Sequence, residues 1–245
     1  MSAEDPGLIA YHSSPITGDA GAVIVAAGSS TRMRGTHKLW ADLCGEPLLA
    51  RTLRAFQECA AVGRVVVVSS QEHAEAVRGL CATQGFSKVA QVCPGGANRQ
   101  ESVLAGLRVL GPCELVAVHD GARPLVTGVI ILQGLDAARE NGSALCAVRA
   151  KSTHKLVDER GAVLSTPPRE SLWEAQTPQV FRYAELLAAH ERAAETGTTY
   201  TDDAALMEAA GHTVRVYEGS YRNIKVTTPE DLTLVRALYQ GTSDE

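Results

Sequence analysis

Positive charge is what this 245-residue sequence has too little of: 23 lysines and arginines face 28 aspartates and glutamates, a formal net charge of -5. A general binder of nucleic acid or of acidic membranes needs a positive field to collect phosphates. Neither class of partner is expected, and any anion site must be local. No apolar stretch approaches the roughly 18 residues a membrane span requires. The six cysteines (Cys44, Cys59, Cys81, Cys93, Cys113 and Cys146) are scattered, with no C-x-x-C pair and no histidines at metal spacing. That excludes a zinc module and predicts six reduced thiols in or near the core. Internal repeats and low-complexity tracts are missing as well.

What is present is the composition of a soluble globular protein, 45% hydrophobic and 21% charged, which argues against long disorder. The length suits one large α/β domain with a substantial core. We expect a single domain over 20–240, including a projecting arm over 150–169, between a disordered extension over 1–19 and a disordered tail over 241–245. The extension has acids and prolines but no basic start followed by an apolar run, so it does not read as a secretory signal. A cytoplasmic location is the expectation.

Along the chain, strands alternate with helices. A run of small and β-branched residues over 21–27 reads as a buried parallel strand, and Pro47 opens a helix with Leu48, Leu49, Leu53 and Phe56 on one face. Strands follow over 64–69, 88–93, 114–119 and 144–149, with helices over 72–84, after Asn98 and over 127–140 between them. Asn98 and Glu101, three residues apart, resemble a capping box. The rhythm changes at 150–169, where 155–158 and 162–166 flank a glycine turn as a hairpin. Beyond it, helices are expected over 182–195, 202–210 and 229–239, and strands over 213–217 and 223–226. The fold class is α/β, a Rossmann-like, mostly parallel twisted sheet flanked by helices.

Three loops carry chemistry. Ala26-Ala27-Gly28 leaves the first strand with small side chains, so backbone N–H groups can approach a phosphate chain, and Arg32 and Lys38 add cations. It lacks both G-x-G-x-x-G and a G-K-[ST] step, which weakens dinucleotide and P-loop readings. Gly95-Gly96 before Asn98 leaves room for a flat base or ribose, although a capped helix start explains the same residues. His119-Asp120-Gly121-Ala122-Arg123-Pro124 ends an apolar strand in a carboxylate that could steer a divalent metal; a turn aspartate is the plain alternative. The loops follow consecutive strands and so converge on one sheet edge. No Ser/His/Asp or Cys/His arrangement accompanies them.

Taken in order, AAG...R-M...K from Ala26 to Lys38, GG-x-x-R-x-x-S-V-x-x-G-L from Gly95 to Leu107, VHDGARP from Val118 to Pro124, Gln176-Thr177-Pro178-Gln179, Thr201-Asp202-Asp203 and Asn223-Ile224-Lys225-Val226-Thr227 resemble the 2-C-methyl-D-erythritol 4-phosphate cytidylyltransferase family. The resemblance runs from Ala22 to Tyr239. It implies an enzyme that joins CTP to a polyol phosphate, with Mg2+ as cofactor and a homodimer formed through the arm. It makes Arg32, Lys38 and Lys225 the catalytic cations. Ala26, Ala27, Gly28, Gly96, Ser102, Asp120 and Arg123 become the nucleotide site, and Asp120 and Asn223 the metal neighbours. Thr153, Arg169, Thr177 and Thr201 are implied for the acceptor, the first two from a partner's arm. Two departures stand out. Ala97 replaces a commonly acidic residue, so any nucleotide hydrogen bond there must come from backbone or water. The arm also begins later, at Ala150-Lys151-Ser152-Thr153, which leaves Ser152 and Thr153 both open as the contact.

The implied chemistry suits these residues. A phosphate monoester is already an anion near neutral pH, so no general base is required; the obstacle is bringing two polyanions into line, which cations and a metal relieve. The nearest rival is ribitol 5-phosphate cytidylyltransferase. A nicotinamide-dependent oxidoreductase and a non-catalytic nucleotide-binding module are the readings from other classes.

Overall fold

The computed structural model describes residues 20–28 and 38–241. Among them seven strands build one sheet: β1 (Ala20–Ala26), β4 (Val62–Ser69), β5 (Val89–Pro94), β6 (Leu115–Asp120), β7 (Ser143–Arg149), β10 (Trp173–Arg182) and β11 (Arg215–Glu218), in the order β11-β7-β10-β6-β1-β4-β5. Two small hairpins lie outside it: β2 (Asp42–Leu43) with β3 (Glu46–Pro47), and β8 (Leu156–Val157) with β9 (Val163–Ser165). The helices are α1 (Leu48–Glu58), α2 (Ala74–Gln84), α3 (Arg99–Leu110), α4 (Gly128–Asn141), α5 (Tyr183–Thr196), α6 (Asp203–Ala209) and α7 (Pro229–Gln240).

Both sheet faces are covered, which is why β1, β4 and β6 read as nearly continuous apolar runs. On one face Ala22, Ile24 and Ala26 pack with residues of α1, α2, α4 and α7. On the other, Val23 joins Val103, Leu107 and Leu110 of α3 and Leu186 of α5. The α3 helix touches the sheet closely at Gly106, where a Cβ would lie 2.5 Å from Val23 Cγ1 and 2.7 Å from Val68 Cγ2. Both valines are locked in the core, so Gly106→Ala is expected to cost about 1–3 kcal/mol despite its better helix propensity. A thermal melt at or above the wild-type midpoint would contradict this contact.

The strand-helix alternation follows the sequence expectation, with ends displaced by a few residues. Two elements do not. Residues 223–226, expected as a strand, are irregular: Val226 N–H donates to Ala122 O and Asn223 O accepts from Arg123 Nη1, so this segment pairs with the loop after β6 instead of a sheet ladder. Conversely β10, antiparallel to β6 and β7, is not among the expected strands, and Pro178 within it removes a ladder donor. The sheet tolerates it through a bulge, the pairing with β7 passing from Ala175↔Ala147 to Gln179↔Leu145. All six cysteines are free, but Cys44 is exposed in the β2–β3 turn rather than near the core.

Chain direction sets the site. From β1 the chain moves outward through β4 and β5, then returns to lay β6 on the other side of β1. Loops therefore diverge at the carboxyl ends of β1 and β6, the switch point at which open α/β sheets hold ligands.

Candidate active site

A cavity of about 360 Å3 occupies that switch point. Ala26, Ala27 and Gly28 line it from the end of β1, Lys38 from the turn before β2, Gly96 and Ser102 from the β5–α3 loop and helix, Asp120 from β6, and Lys225 from the irregular segment before α7. Eight residues expected at the site thus share one cavity. Arg32 lies outside the described residues, as do 1–19 and 242–245.

The β5–α3 turn is shaped by close approach. At Gly95 a Cβ would stand 2.5 Å from Ala27 Cβ and 2.7 Å from Ser102 Oγ, so only glycine lets this turn press against the β1 loop. Asn98 caps α3, its side chain accepting from Glu101 N–H at 2.9 Å. The reciprocal bond differs from a capping box: Glu101 Oε2 accepts from Ala97 N–H at 2.9 Å, one residue earlier. Ala97 N–H is thereby committed, which narrows what position 97 can offer a ligand to its carbonyl or a water.

Asp120 is the electrostatic centre. Its Oδ2 lies 2.9 Å from Lys225 Nζ and 3.7 Å from Arg123 Nε, and its Oδ1 lies 3.4 Å from Arg99 Nε. Burial opposes its ionisation, but the charges of Lys225, Arg99 and Arg123 outweigh that and hold the carboxyl far below its ordinary range. Arg99 also lines the cavity and was not singled out from the sequence. Its place in G-G-x-x-R, at the first position of a helix entering the site, was the available signal.

Behind the wall runs a hydrogen-bond chain that fixes protonation. Arg123 O only accepts, so His119 Nε2, 3.4 Å away, carries the proton. Nδ1 then accepts from the Thr177 hydroxyl at 3.0 Å, and Thr177 Oγ1 accepts from Asp120 N–H at 3.1 Å. Complete burial pushes the His119 pKa down to about 3, consistent with a neutral ring. Both hydrogen bonds that the Thr177 hydroxyl makes in this structure run to groups inside the fold, His119 Nδ1 and Asp120 N–H.

Other expected residues sit elsewhere. Arg123 is buried and, rather than lining the cavity, ties Asp120 to Asn223 O through Nη1 at 2.7 Å. Asn223 is fully buried; its Nδ2 donates to Thr177 O at 2.8 Å and Gln176 Oε1 at 3.3 Å. Thr201 is exposed, and the residue after it, Asp202, caps α6. Thr153 and Arg169 are exposed on the arm, where Arg169 Nη1 donates to Lys151 O at 3.3 Å.

No group of three or more histidine, cysteine, aspartate or glutamate side chains among the described residues forms a metal cage. One ionised carboxylate beside a polyanion site fits an ion such as Mg2+, which keeps few protein ligands and takes the rest from phosphates and water. Asn223 Oδ1 is buried without a hydrogen-bond partner among the described residues, an oxygen of suitable type, but Asn223 does not line the cavity as Asp120 does.

Comparison with known proteins agrees on one family. The family model for 2-C-methyl-D-erythritol 4-phosphate cytidylyltransferase matches residues 20–240. A bifunctional IspD/IspF enzyme of Desulforudis audaxviator is 49% identical over 225 residues, covering 91% of this chain and 57% of the relative. The 2-C-methyl-D-erythritol 4-phosphate cytidylyltransferase of Dehalococcoides mccartyi strain 195 is 46% identical over 218 residues, covering 89% and 95%. Among solved structures, 4-diphosphocytidyl-2C-methyl-D-erythritol synthase of Anaerococcus prevotii superposes with a TM-score of 0.81 at 29% identity, covering 91% of this chain and 99% of the other. The Thermus thermophilus cytidylyltransferase gives 0.74 at 32% identity, covering 89% and 98%.

Proposed function

This chain belongs to the 2-C-methyl-D-erythritol 4-phosphate cytidylyltransferase family, and from that premise we propose that the switch-point cavity is where CTP and the acceptor phosphate meet. The enzyme transfers CMP from CTP to 2-C-methyl-D-erythritol 4-phosphate, releasing pyrophosphate and 4-diphosphocytidyl-2-C-methyl-D-erythritol, in isoprenoid precursor biosynthesis by the non-mevalonate route. The observation that carries the site assignment is one cavity walled by glycine and alanine backbone and bordered by Lys38, Arg99 and Lys225 around a single carboxylate.

An oxygen of the acceptor's phosphate attacks the α-phosphorus of CTP. The bond from that phosphorus to the bridging oxygen breaks, and its electron pair leaves with pyrophosphate. Because the acceptor enters as an anion, the side chains need move no proton. Their work is to offset repulsion and to stabilise charge on the oxygens. Lys38 and, beyond the described residues, Arg32 serve the triphosphate; Lys225, beside Asp120, serves the reacting phosphates. Ala26, Ala27, Gly28, Gly96 and Ser102 give the nucleotide a close wall, and Arg123 holds Asp120 and the Lys225 segment in register. Asp120, with Asn223 as the implied second oxygen, would hold Mg2+, whose charge would offset that of the triphosphate.

The acceptor side belongs to the arm. Leu156, Val157, Val163 and Leu164 are 53–68% exposed on a two-stranded hairpin whose successive side chains face opposite ways. Apolar surface on both faces supports cover by a second copy of the chain, and a homodimer would bring Thr153 and Arg169 toward the partner's cavity. Among the described residues no helix is long and apolar enough to cross a membrane; a cytoplasmic location is part of the same proposal.

The testing experiment measures pyrophosphate release from CTP, with other triphosphates as controls, against 2-C-methyl-D-erythritol 4-phosphate and ribitol 5-phosphate. Arg169→Ala is expected to raise KM for the sugar phosphate by about tenfold, the scale of a lost charge-assisted contact, with KM for CTP unchanged. A rise for CTP alone would remove Arg169 from the acceptor side.

A further inference from the structure

Three helices bring a buried charge cluster up behind the cavity that the transfer chemistry does not use. Asp203, the first residue of α6, and His190, in α5, are each 1% exposed. Asp203 Oδ2 lies 2.8 Å from Arg99 Nη1, and its Oδ1 lies 3.0 Å from His190 Nε2. Burial disfavours the charged carboxylate, yet Arg99 and the His190 hydrogen bond prevail and keep it ionised. An ionised carboxylate only accepts, so His190 Nε2 carries the proton that it donates.

Arg99 is therefore one guanidinium divided between two carboxylates. Its shorter contact, 2.8 Å, goes to Asp203, which does not line the cavity; its longer one, 3.4 Å, goes to Asp120, which does. Arg99 is also the first residue of α3, directly after the Gly95–Asn98 turn. Burying Asp203 and His190 against the half-buried Arg99 is costly and yields little stability against an apolar alternative of the same shape. What it supplies is direction: Asp203 draws the guanidinium away from Asp120.

We propose that Asp203 and His190 are positioning residues for nucleotide binding, holding Arg99 so that the start of α3 and the Asp120 carboxylate keep the geometry that CTP meets. The proposal rests on CTP occupying the switch-point cavity. Without the Asp203 charge, Arg99 is free to turn fully onto Asp120 Oδ1, away from the Oδ2 that Lys225 holds, and to shift the turn that walls the cavity.

The test is CTP affinity of the full chain by calorimetry, without acceptor, together with steady-state kinetics. Asp203→Asn is expected to weaken CTP binding about tenfold, the scale of one charge-assisted hydrogen bond. At saturating CTP, kcat should stay within about twofold of wild type, since a loss of uniform binding leaves kcat unchanged. KM for the sugar phosphate should not move. His190→Leu should show the same split, and His190→Gln, which keeps a donor near the Nε2 position, should recover affinity. Because His190→Leu and His190→Gln share the site and differ in the donor, they decide the matter even if Asp203→Asn fails to fold. Unchanged CTP affinity in His190→Leu, or a fall in kcat with affinity intact, overturns the proposal. A bulky Ala27→Leu change in the cavity wall that leaves CTP binding unaltered would overturn the cavity assignment beneath it instead.

Discussion

Lys225→Ala is expected to lower kcat by roughly 10²-fold or more, the loss seen when one preorganised charge stabiliser is removed from a site of developing negative charge. Lys225 lines the cavity, and its Nζ rests 2.9 Å from Asp120 Oδ2. Arg123, a buried cation, already donates to Asn223 O and does not line the cavity, and Arg99 is held by Asp203. Neither can take the place of Lys225 at the reacting phosphates. Lys38→Ala, which removes another cation that lines the cavity, should show a loss of the same order. The measurement is pyrophosphate release at saturating CTP and acceptor, with circular dichroism to establish folding. Near-wild-type turnover in both variants would sink the charge-stabilisation mechanism.

Acid should destabilise this protein at a pH well above the range in which its carboxylates titrate, and His119 is the reason. Its ring is fully buried and hydrogen-bonded in its neutral form, and burial holds its pKa near about 3 against an ordinary 6.5. Below 6.5 the unfolded chain takes up a proton that the folded chain refuses. The stability tied to the neutral ring is therefore complete above that pH and is lost progressively as pH falls toward about 3. At the bottom of that window the loss amounts to several kcal/mol. Asp120 and Asp203 act with the same sign but later: their lowered pKa values keep their contribution whole until pH drops below the ordinary 3.8. Thermal midpoints between pH 7.5 and 4.5 should thus fall steeply in wild type. In His119→Gln, less stable at neutral pH, the fall should be shallower. Parallel curves for the two proteins would refute the role given to the ring.

How much of this was legible in advance follows from the range of the interactions. Gly95-Gly96 and the Asn98 cap are local, set by backbone conformation and one side chain, and the cap formed as its residue types implied. Glu101 shows the limit of that reading: the acid sits at the expected spacing but closes on Ala97 N–H. Strand β10 is not among the expected strands; Pro178 speaks against a ladder there, and the pairing with β7 accommodates it through a bulge. Thr177 reads as a ligand contact in isolation. In three dimensions its hydroxyl is the link between His119 and Asp120 N–H. Arg99 and Asp203 are 104 positions apart, and no periodicity connects them.

By itself, then, the sequence determined the alternation of strands and helices, the small-residue loops at the strand ends and the family to which they belong. These rest on hydrophobic period, on glycine's lack of a side chain and on ordered motifs, all of which act within a few residues. Only the tertiary structure decided which cations share Asp120, which hydroxyls are spent inside the fold, and that Arg99 is divided between two carboxylates. Those outcomes depend on distances between segments far apart in the chain, where burial raises the strength of each charge contact and the geometry of packing chooses its partner.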